Sequence, residues 1–265
     1  MVNFLTTLVE KGLSYSSVAT AKSAICTVLS LDCSTSLGSH PMLHRFMRGV
    51  FHANPPAHRF TKVWDVGQVI TYLKGLGDNA VLPLKNLTMK LVALIAILSA
   101  SRVNYLASLS VDAMDLTDEV CVFYPTKLLK HSRLGYRDNP IRLTAFAPDR
   151  RLCVLHTLKE YLVRRSRLTT DPSLFISYRQ PHKPVHKDTI ARWLKAVLLL
   201  AGVDDGVFSA HSYRSASTSK ASRADVPISD ILRQGQWASE RTWIGHYRRE
   251  LLPTTNAFAD AMLEN

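Results

Sequence analysis

Apolar residues recur at every third or fourth position along most of the chain, which is the spacing that one face of an α-helix requires. In the first 53 residues this pattern predicts three helices, and Pro41 suits the first turn of the third. Pro55 and Pro56 then end the helical pattern, so residues 54–63 are predicted to link two domains. We therefore expect a helical domain over residues 1–60 and a larger domain over residues 61–265.

The larger domain is predicted to combine helices with a few short strands. Asp65 suits the cap of its first helix. Residues 86–110 predict a second helix that is apolar nearly all round in its middle, as expected of a buried central helix. Short strands are predicted over residues 119–125, 139–143 and 173–177, and further helices over 149–168, 186–203, 209–226, 227–236, 239–250 and 254–264. The predicted fold class is mainly α with a small antiparallel sheet, an α+β arrangement.

The net charge of the chain indicates the class of molecule that it binds. The chain has 33 Lys and Arg residues against 21 Asp and Glu, which gives a net charge of +12. A surface this basic favours a polyanion, most often nucleic acid, although ribosomal and membrane-surface proteins share the property. Residues 127–167 alone hold eleven basic against three acidic side chains, a net charge of +8 over 41 residues. This one-sided run, next to a long basic loop between two predicted strands, favours contacts with phosphates.

Other features argue against metal binding, membrane insertion and secretion. The four cysteines are far apart, which is typical of reduced thiols in an intracellular protein: Cys26, Cys33, Cys121 and Cys153. A zinc site made from the first two with His40 and His44 is disfavoured because the cysteines are too widely spaced. The longest apolar run, residues 91–100, is too short to span a bilayer, and the N-terminus lacks a signal-peptide pattern.

Candidate chemistry begins with two basic residues three positions apart. His211 and Arg214, in "AHSYRSAS", lie at a predicted helix start and should project to one side, where free N–H groups also attract an anion. Arg102 follows the apolar helix and needs an anionic partner if it is buried. Near the C-terminus, Tyr247 follows Trp237 by ten residues. Together these residue types suit the binding of a phosphate next to a phenol.

At this point the chain resembles the tyrosine recombinases, a family of phage-integrase-like proteins. The segment "SASRVNYLASLSVDAMDL" is similar to the one around their first arginine, and "TKLLKHSRLG" is similar to their β-hairpin with a lysine. "AHSYRSAS" is similar to their HxxR box, and "ADVPISDILRQGQWASERTWIGHY" to the stretch that holds their last two catalytic residues. The resemblance covers residues 65–250. The first 60 residues are similar to part of the family's N-terminal DNA-clamping domain.

The resemblance implies a chemical role for each residue of this set. Tyr247 would attack the scissile phosphate, forming a 3′-phosphotyrosine and releasing a 5′-hydroxyl. Arg102 and Arg214 would bind the non-bridging oxygens, and Lys130 would protonate the departing 5′ oxygen. His211 would act as a general base or hold the phosphate. No metal, ATP or other cofactor is implied, because basic side chains supply the positive charge.

Some positions depart from the family pattern or leave a choice. Trp237 stands where relatives carry His or Trp, and its indole N–H can donate to a phosphate. Tyr247 follows it at a distance of ten positions, one more than in many relatives. Tyr105 stands three residues after the first arginine, where the family often has an acid, so that whatever orients this arginine must come from elsewhere. Lys127 lies on the same hairpin as Lys130 and is the alternative to it.

The resemblance also implies partners. These are double-stranded DNA and three further copies of the chain, in a homotetramer that exchanges a C-terminal segment, for which residues 251–265 are the candidate. We expect an intracellular protein that works with DNA, in the nucleus of a eukaryote or in the cytoplasm and nucleoid of a bacterium. A type IB topoisomerase-like activity and a non-catalytic DNA-binding relic of a mobile element are the alternatives. Further DNA contacts are expected from Lys127, Arg133, Arg137, Arg248 and Arg249.

Overall fold

The chain divides into two compact units, Met1–Thr61 and Lys62–Asn265. The computed structural model describes residues 1–30, 37–55, 63–128, 132 and 139–248. Most of the predicted linker lies outside the described residues, and so does the helix predicted over residues 254–264. The same holds for four of the predicted site residues: Lys130, Arg133, Arg137 and Arg249.

The described part of the first unit contains the three predicted helices, which are α1 (Val2–Glu10), α2 (Tyr15–Leu29) and α3 (Pro41–Ala53). The Ser14 hydroxyl caps α2 by accepting a hydrogen bond from the Ser17 N–H, and Pro41 lies in the first turn of α3, as predicted. One buried residue or more from each helix forms a small core of its own: Leu5, Val18, Cys26, Leu43 and Met47.

The second unit is larger and contains the sheet. Its helices are α4 (Val66–Gly75), α5 (Leu84–Ser99), α6 (Val103–Leu106), α7 (Val154–Arg165), α8 (Lys187–Leu200), α9 (Ser212–Arg223), α10 (Ile228–Gly235) and α11 (Glu240–His246). Its strands are β1 (Met114–Leu116), β2 (Val120–Phe123) and β3 (Ile141–Thr144). Among the described residues, no helix is both long and apolar enough to cross a membrane.

Helix α5 lies at the centre of the second unit. Its apolar residues point to all sides, and α7, α8 and α9 pack around it, so every residue from Leu87 to Ile97 is buried. The helix predicted over residues 86–110 is therefore central and buried, but it is not continuous. Ala100 adopts a left-handed conformation (φ 47°), which ends α5, and the chain starts again as α6.

The sheet is antiparallel, in the order β1-β2-β3. Cys121 and Phe123 on β2 and Ile141 and Leu143 on β3 face the core, and their alternation with less buried residues made these two strands predictable. Strand β1 has only three residues and was not predicted. The strand predicted over residues 173–177 is wrong, because this segment makes only isolated bridges at Ser173 and Ile176. The predicted fold class is confirmed.

Candidate active site

The turn after α5 places the first predicted arginine at the edge of the core. The left-handed Ala100 redirects the chain, and Arg102 becomes the N-cap residue of α6. The turn is held locally, since the Ser101 N–H donates to the Ser99 hydroxyl at 3.2 Å. Arg102 is half-buried, less than a position after an apolar helix led us to expect. The turn also exposes the carbonyl of Ala100, which accepts a hydrogen bond from a second arginine.

That second arginine is Arg214, which lies in the first turn of α9. His211 is the N-cap residue of this helix, so the predicted three-residue spacing places both side chains on one side of its start. Arg214 is only 2% exposed. Its Nη1 donates to the carbonyl of Ala100 at 2.7 Å, and its Nη2 donates to the carbonyl of Gly235. The ends of α5 and α10 therefore hold the guanidinium, while its Nε has no partner among the described residues.

Trp237 forms the wall beside this guanidinium. Helix α10 ends at Gly235, and Gln236 takes a left-handed conformation (φ 54°) that turns the chain back. The indole of Trp237 then lies under Arg214, with Cζ of the arginine 3.8 Å from the ring centroid. Trp237 is 7% exposed, and its Nε1 is buried with no partner among the described residues. Arg214 and Trp237 thus each carry one buried N–H group that has no hydrogen-bond partner among the described residues.

Tyr247 completes the cluster, but not from within a helix. The helix predicted over residues 239–250 ends at His246, and Tyr247 is its C-cap, with the N–H donating to the Trp243 carbonyl at 2.8 Å. The Ser219 hydroxyl also donates to the Tyr247 carbonyl at 3.2 Å. The tyrosine ring lies 4.7 Å from the ring of Trp237, between centroids, and 5.6 Å from that of His211. The ten-residue gap therefore does not prevent Tyr247 from reaching the site.

The electrostatics of the cluster favour an anion. Burial lowers the pKa of the Arg214 guanidinium well below its ordinary value, and repulsion from Arg102 lowers it further. Electrostatic attraction to Tyr247 opposes this lowering of the Arg214 pKa. Within the described residues, neither arginine has an acidic partner. An anion bound between the two arginines would offset the cost of their charges and could accept from the unused donors.

Two other predicted basic residues are described, Lys127 and Arg248, and neither has a contact with this cluster among the described residues. Lys127 is exposed and lies close to Asp171, whose pKa is lowered first by hydrogen bonds from Ser173 and then by nearby cations, Lys127 included. Arg248 is exposed directly after the tyrosine. The structure therefore assembles Arg102, His211, Arg214, Trp237 and Tyr247, and it leaves the choice between the two hairpin lysines open.

Sequence reasoning missed the groups that hold the functional side chains. The carbonyls of Ala100 and Gly235 belong to the backbone, which every residue type has, so the sequence could not indicate that they bind Arg214. The glycine at position 235, two residues before Trp237, was the one indication in the sequence of a close approach at this turn. A Cβ atom added to Gly235 would lie 1.8 Å from the Trp237 ring, so only glycine leaves room for the indole.

This close approach gives a prediction about stability. Gly235→Ala should lower the free energy of unfolding by about 1–3 kcal/mol, because the methyl group forces the buried indole out of its place. Gly245→Ala is the matched control, since Gly245 lies in α11 with no atom within 4 Å of an added Cβ. The control should be neutral or slightly stabilising. Urea unfolding of both variants measures the difference, and equal effects would contradict the packing argument.

Comparison with known proteins identifies the family. Residues 78–251, more than half of the chain, match the model of the phage integrase family. The chain belongs to this family of tyrosine recombinases. No curated protein sequence matches the integrase chain significantly. The predicted family is confirmed, whereas the recombinase reaction and the roles of individual residues stay predictions.

Solved structures share the fold of this chain. The XerH site-specific recombinase bound to a palindromic difH substrate has a TM-score of 0.63 at 15% identity, over 91% of this chain and 65% of that chain. The Tn1549 transposon integrase in complex with transposon right end DNA has a TM-score of 0.65 at 12% identity, over 99% and 82%. A lambda integrase dimer bound to a COC′ core site has a TM-score of 0.57 at 14% identity, over 96% of this chain and 80% of that chain. The integrase thus spans slightly less than two thirds of the XerH chain.

Proposed function

We propose that this integrase cuts and rejoins double-stranded DNA through a 3′-phosphotyrosyl intermediate, with Tyr247 as the nucleophile. The observation that carries the proposal is the convergence of Tyr247 with His211, Arg214 and Trp237 in a positively charged cluster that contains unused hydrogen-bond donors. A phosphodiester supplies the negative charge and the acceptor oxygens that this cluster lacks. The fold shared with DNA-bound recombinases supports the same reaction class.

Cleavage would transfer the phosphodiester from the 5′ oxygen of the DNA to Tyr247. The Tyr247 hydroxyl oxygen attacks phosphorus, its proton passes to His211, and the bond from phosphorus to the 5′ oxygen breaks. Arg102 and Arg214 stabilise the charge that develops on the non-bridging oxygens, with the Trp237 N–H as a further donor. The departing 5′ oxygen takes its proton from a lysine of the hairpin. In the reverse direction a 5′-hydroxyl attacks the phosphotyrosine, so the strand is resealed without ATP.

The identity of that lysine gives a second prediction. Lys130→Ala should slow adduct formation by about 10²-fold or more, because the 5′ alkoxide would leave without a proton. A substrate with sulfur in place of the bridging 5′ oxygen should restore the rate, since a thiolate leaves unprotonated. Lys127→Ala is the matched control and should behave like the wild type on both substrates. If only Lys127→Ala forms the adduct slowly and the sulfur substrate restores its rate, Lys127 is the general acid. A slow variant that the sulfur substrate does not restore would refute general-acid catalysis by that lysine.

Double-stranded DNA is the proposed partner of both units. XerH, the Tn1549 integrase and lambda integrase are bound to DNA in their structures, the last as a dimer. In the first unit, α3 exposes His44, Arg45 and Arg48 along one helix, which supports contacts with phosphates. We further propose a homotetramer on two duplexes that uses residues 251–265, a segment outside the described residues.

Trapping the covalent intermediate tests the proposed function. The protein is incubated with a pool of nicked duplexes that carry randomised sequence around the nick, so that a short 5′-hydroxyl fragment is lost after cleavage. We expect an SDS-resistant adduct whose nucleotide maps by mass spectrometry to the tryptic peptide of residues 242–248. DNA binding without any adduct would support the non-catalytic alternative. Relaxation of supercoils without joining of two duplexes would support the topoisomerase-like alternative.

A further inference from the structure

We propose that Gln236 and Tyr105 act together as positioning residues that fix Trp237 relative to Arg102, through one shared backbone carbonyl. The Gln236 amide Nε2 donates to the carbonyl of Asn139 at 2.9 Å. The Tyr105 hydroxyl donates to the same carbonyl at 3.1 Å. This inference rests on the proposed function only in assigning Trp237 and Arg102 to phosphate binding.

The backbone of Gln236 marks it as a special position. It has φ 54° and ψ 47°, at the end of α10, where glycine is the usual residue because a Cβ atom disfavours this conformation. A non-glycine residue held in this way next to a functional side chain points to a role for its own side chain. That side chain reaches from the residue before Trp237 to the segment before β3. Its hydrogen bond to the Asn139 carbonyl therefore restrains the turn that positions the indole of Trp237.

Tyr105 connects the same carbonyl to the first arginine. It lies on α6, which begins at Arg102, and its N–H donates to the Arg102 carbonyl at 2.8 Å. Tyr105 is 3% exposed. Its hydroxyl holds the short helix that begins at Arg102 by donating a hydrogen bond to the Asn139 carbonyl.

Helix α6 and the turn that holds Trp237 are short elements whose positions depend on contacts with other segments. Helix α6 has only four residues, and Trp237 lies in the connection between α10 and α11, so neither is held by a long helix of its own. A carbonyl has two lone pairs, and the two donors use both of them. On the other side, the Gln234 amide donates to the Leu98 carbonyl at 2.7 Å and ties α10 to the end of α5. The separation of Trp237 and Arg102 is then set by hydrogen bonds on both sides.

Gln236→Gly separates positioning from simple stabilisation. Glycine relieves the left-handed backbone while it removes the amide, so the melting temperature should stay within about 3 °C of the wild type. Adduct formation should nevertheless fall about tenfold or more at unchanged DNA affinity, because a small displacement of a phosphate-binding group is costly. Asp225→Gly is the matched control, as Asp225 is exposed and also left-handed (φ 54°). It should leave cleavage unchanged.

Tyr105→Phe and an NMR measurement complete the test. In protein labelled with ¹⁵N-tryptophan, the Trp237 indole resonance should shift in Gln236→Gly and also in Tyr105→Phe, because both release the same carbonyl. The loss of cleavage in the double variant should be smaller than the product of the two single losses. An unshifted Trp237 resonance in Tyr105→Phe, or independent losses, would overturn the inference. Absence of any adduct with wild-type protein would refute the proposed function instead, and the resonances would still decide the positioning role.

Discussion

Tyr247→Phe is expected to abolish the covalent protein–DNA adduct, with a loss of about 10⁴-fold or more, because the nucleophilic oxygen is removed outright. Phenylalanine keeps the ring that lies 4.7 Å from Trp237 and 5.0 Å from Cζ of Arg214, so the walls of the site should be preserved. DNA affinity should therefore change by no more than about twofold, since it depends on many phosphate contacts elsewhere. Gel-shift titration and SDS-resistant adduct formation on nicked duplexes measure the two properties separately.

Tyr178→Phe is the matched control for the loss of a tyrosine hydroxyl. Tyr178 packs against Trp193, with 5.4 Å between the ring centroids. Removing the Tyr178 hydroxyl should leave adduct formation unchanged. An adduct that survives Tyr247→Phe would place the nucleophile on another residue. That result would also show that the contact of Tyr247 with the cluster is only packing. Loss of both adduct and DNA binding would instead mean that the substitution damages the fold.

The sequence predicted which side chains meet in the cluster better than it predicted how they are held there. The HxxR spacing was sufficient because one helical turn brings His211 and Arg214 to the same side of α9. Trp237 and Tyr247 came from the resemblance, and no helical periodicity could show that Tyr247 follows the last helix. The left-handed Ala100 was invisible for a different reason: alanine favours helix, and only the packing of α5 and Arg214 around it forces the turn.

Fold prediction succeeded where burial is periodic and failed where hydrogen bonds with other segments decide. Strands β2 and β3 alternate between buried and less buried residues, and they were found. Strand β1 has only three residues, and its pairing with β2 depends on the partner rather than on its own pattern. The segment 173–177 is apolar because Leu174, Phe175 and Ile176 are buried in the core, which a strand would also require. Burial without ladder pairing therefore produced the incorrect strand.

Arg214→Lys is expected to slow adduct formation by about 10³-fold, although it conserves the formal charge. The guanidinium donates to two carbonyls, those of Ala100 and Gly235, and keeps further N–H groups for a phosphate. An ammonium has three donors on one nitrogen and cannot span these acceptors in the same plane. Buried beside Arg102, a lysine could also lose its proton, which a guanidinium does not do under these conditions.

The measurement is the single-turnover rate of adduct formation, with DNA affinity and melting temperature followed in parallel. Arg223→Lys is the matched control because Arg223 lies on the same helix and is exposed, so its rate should match that of the wild type. The affinity of Arg214→Lys for DNA should fall by less than about tenfold, since one phosphate contact among many is weakened. A rate within tenfold of the wild type would mean that charge alone suffices, and that the two carbonyls hold the guanidinium only for stability. A slow rate at retained affinity and melting temperature would place the fixed, planar donor geometry of Arg214 in the transition state, because charge, fold and DNA binding would all have been conserved.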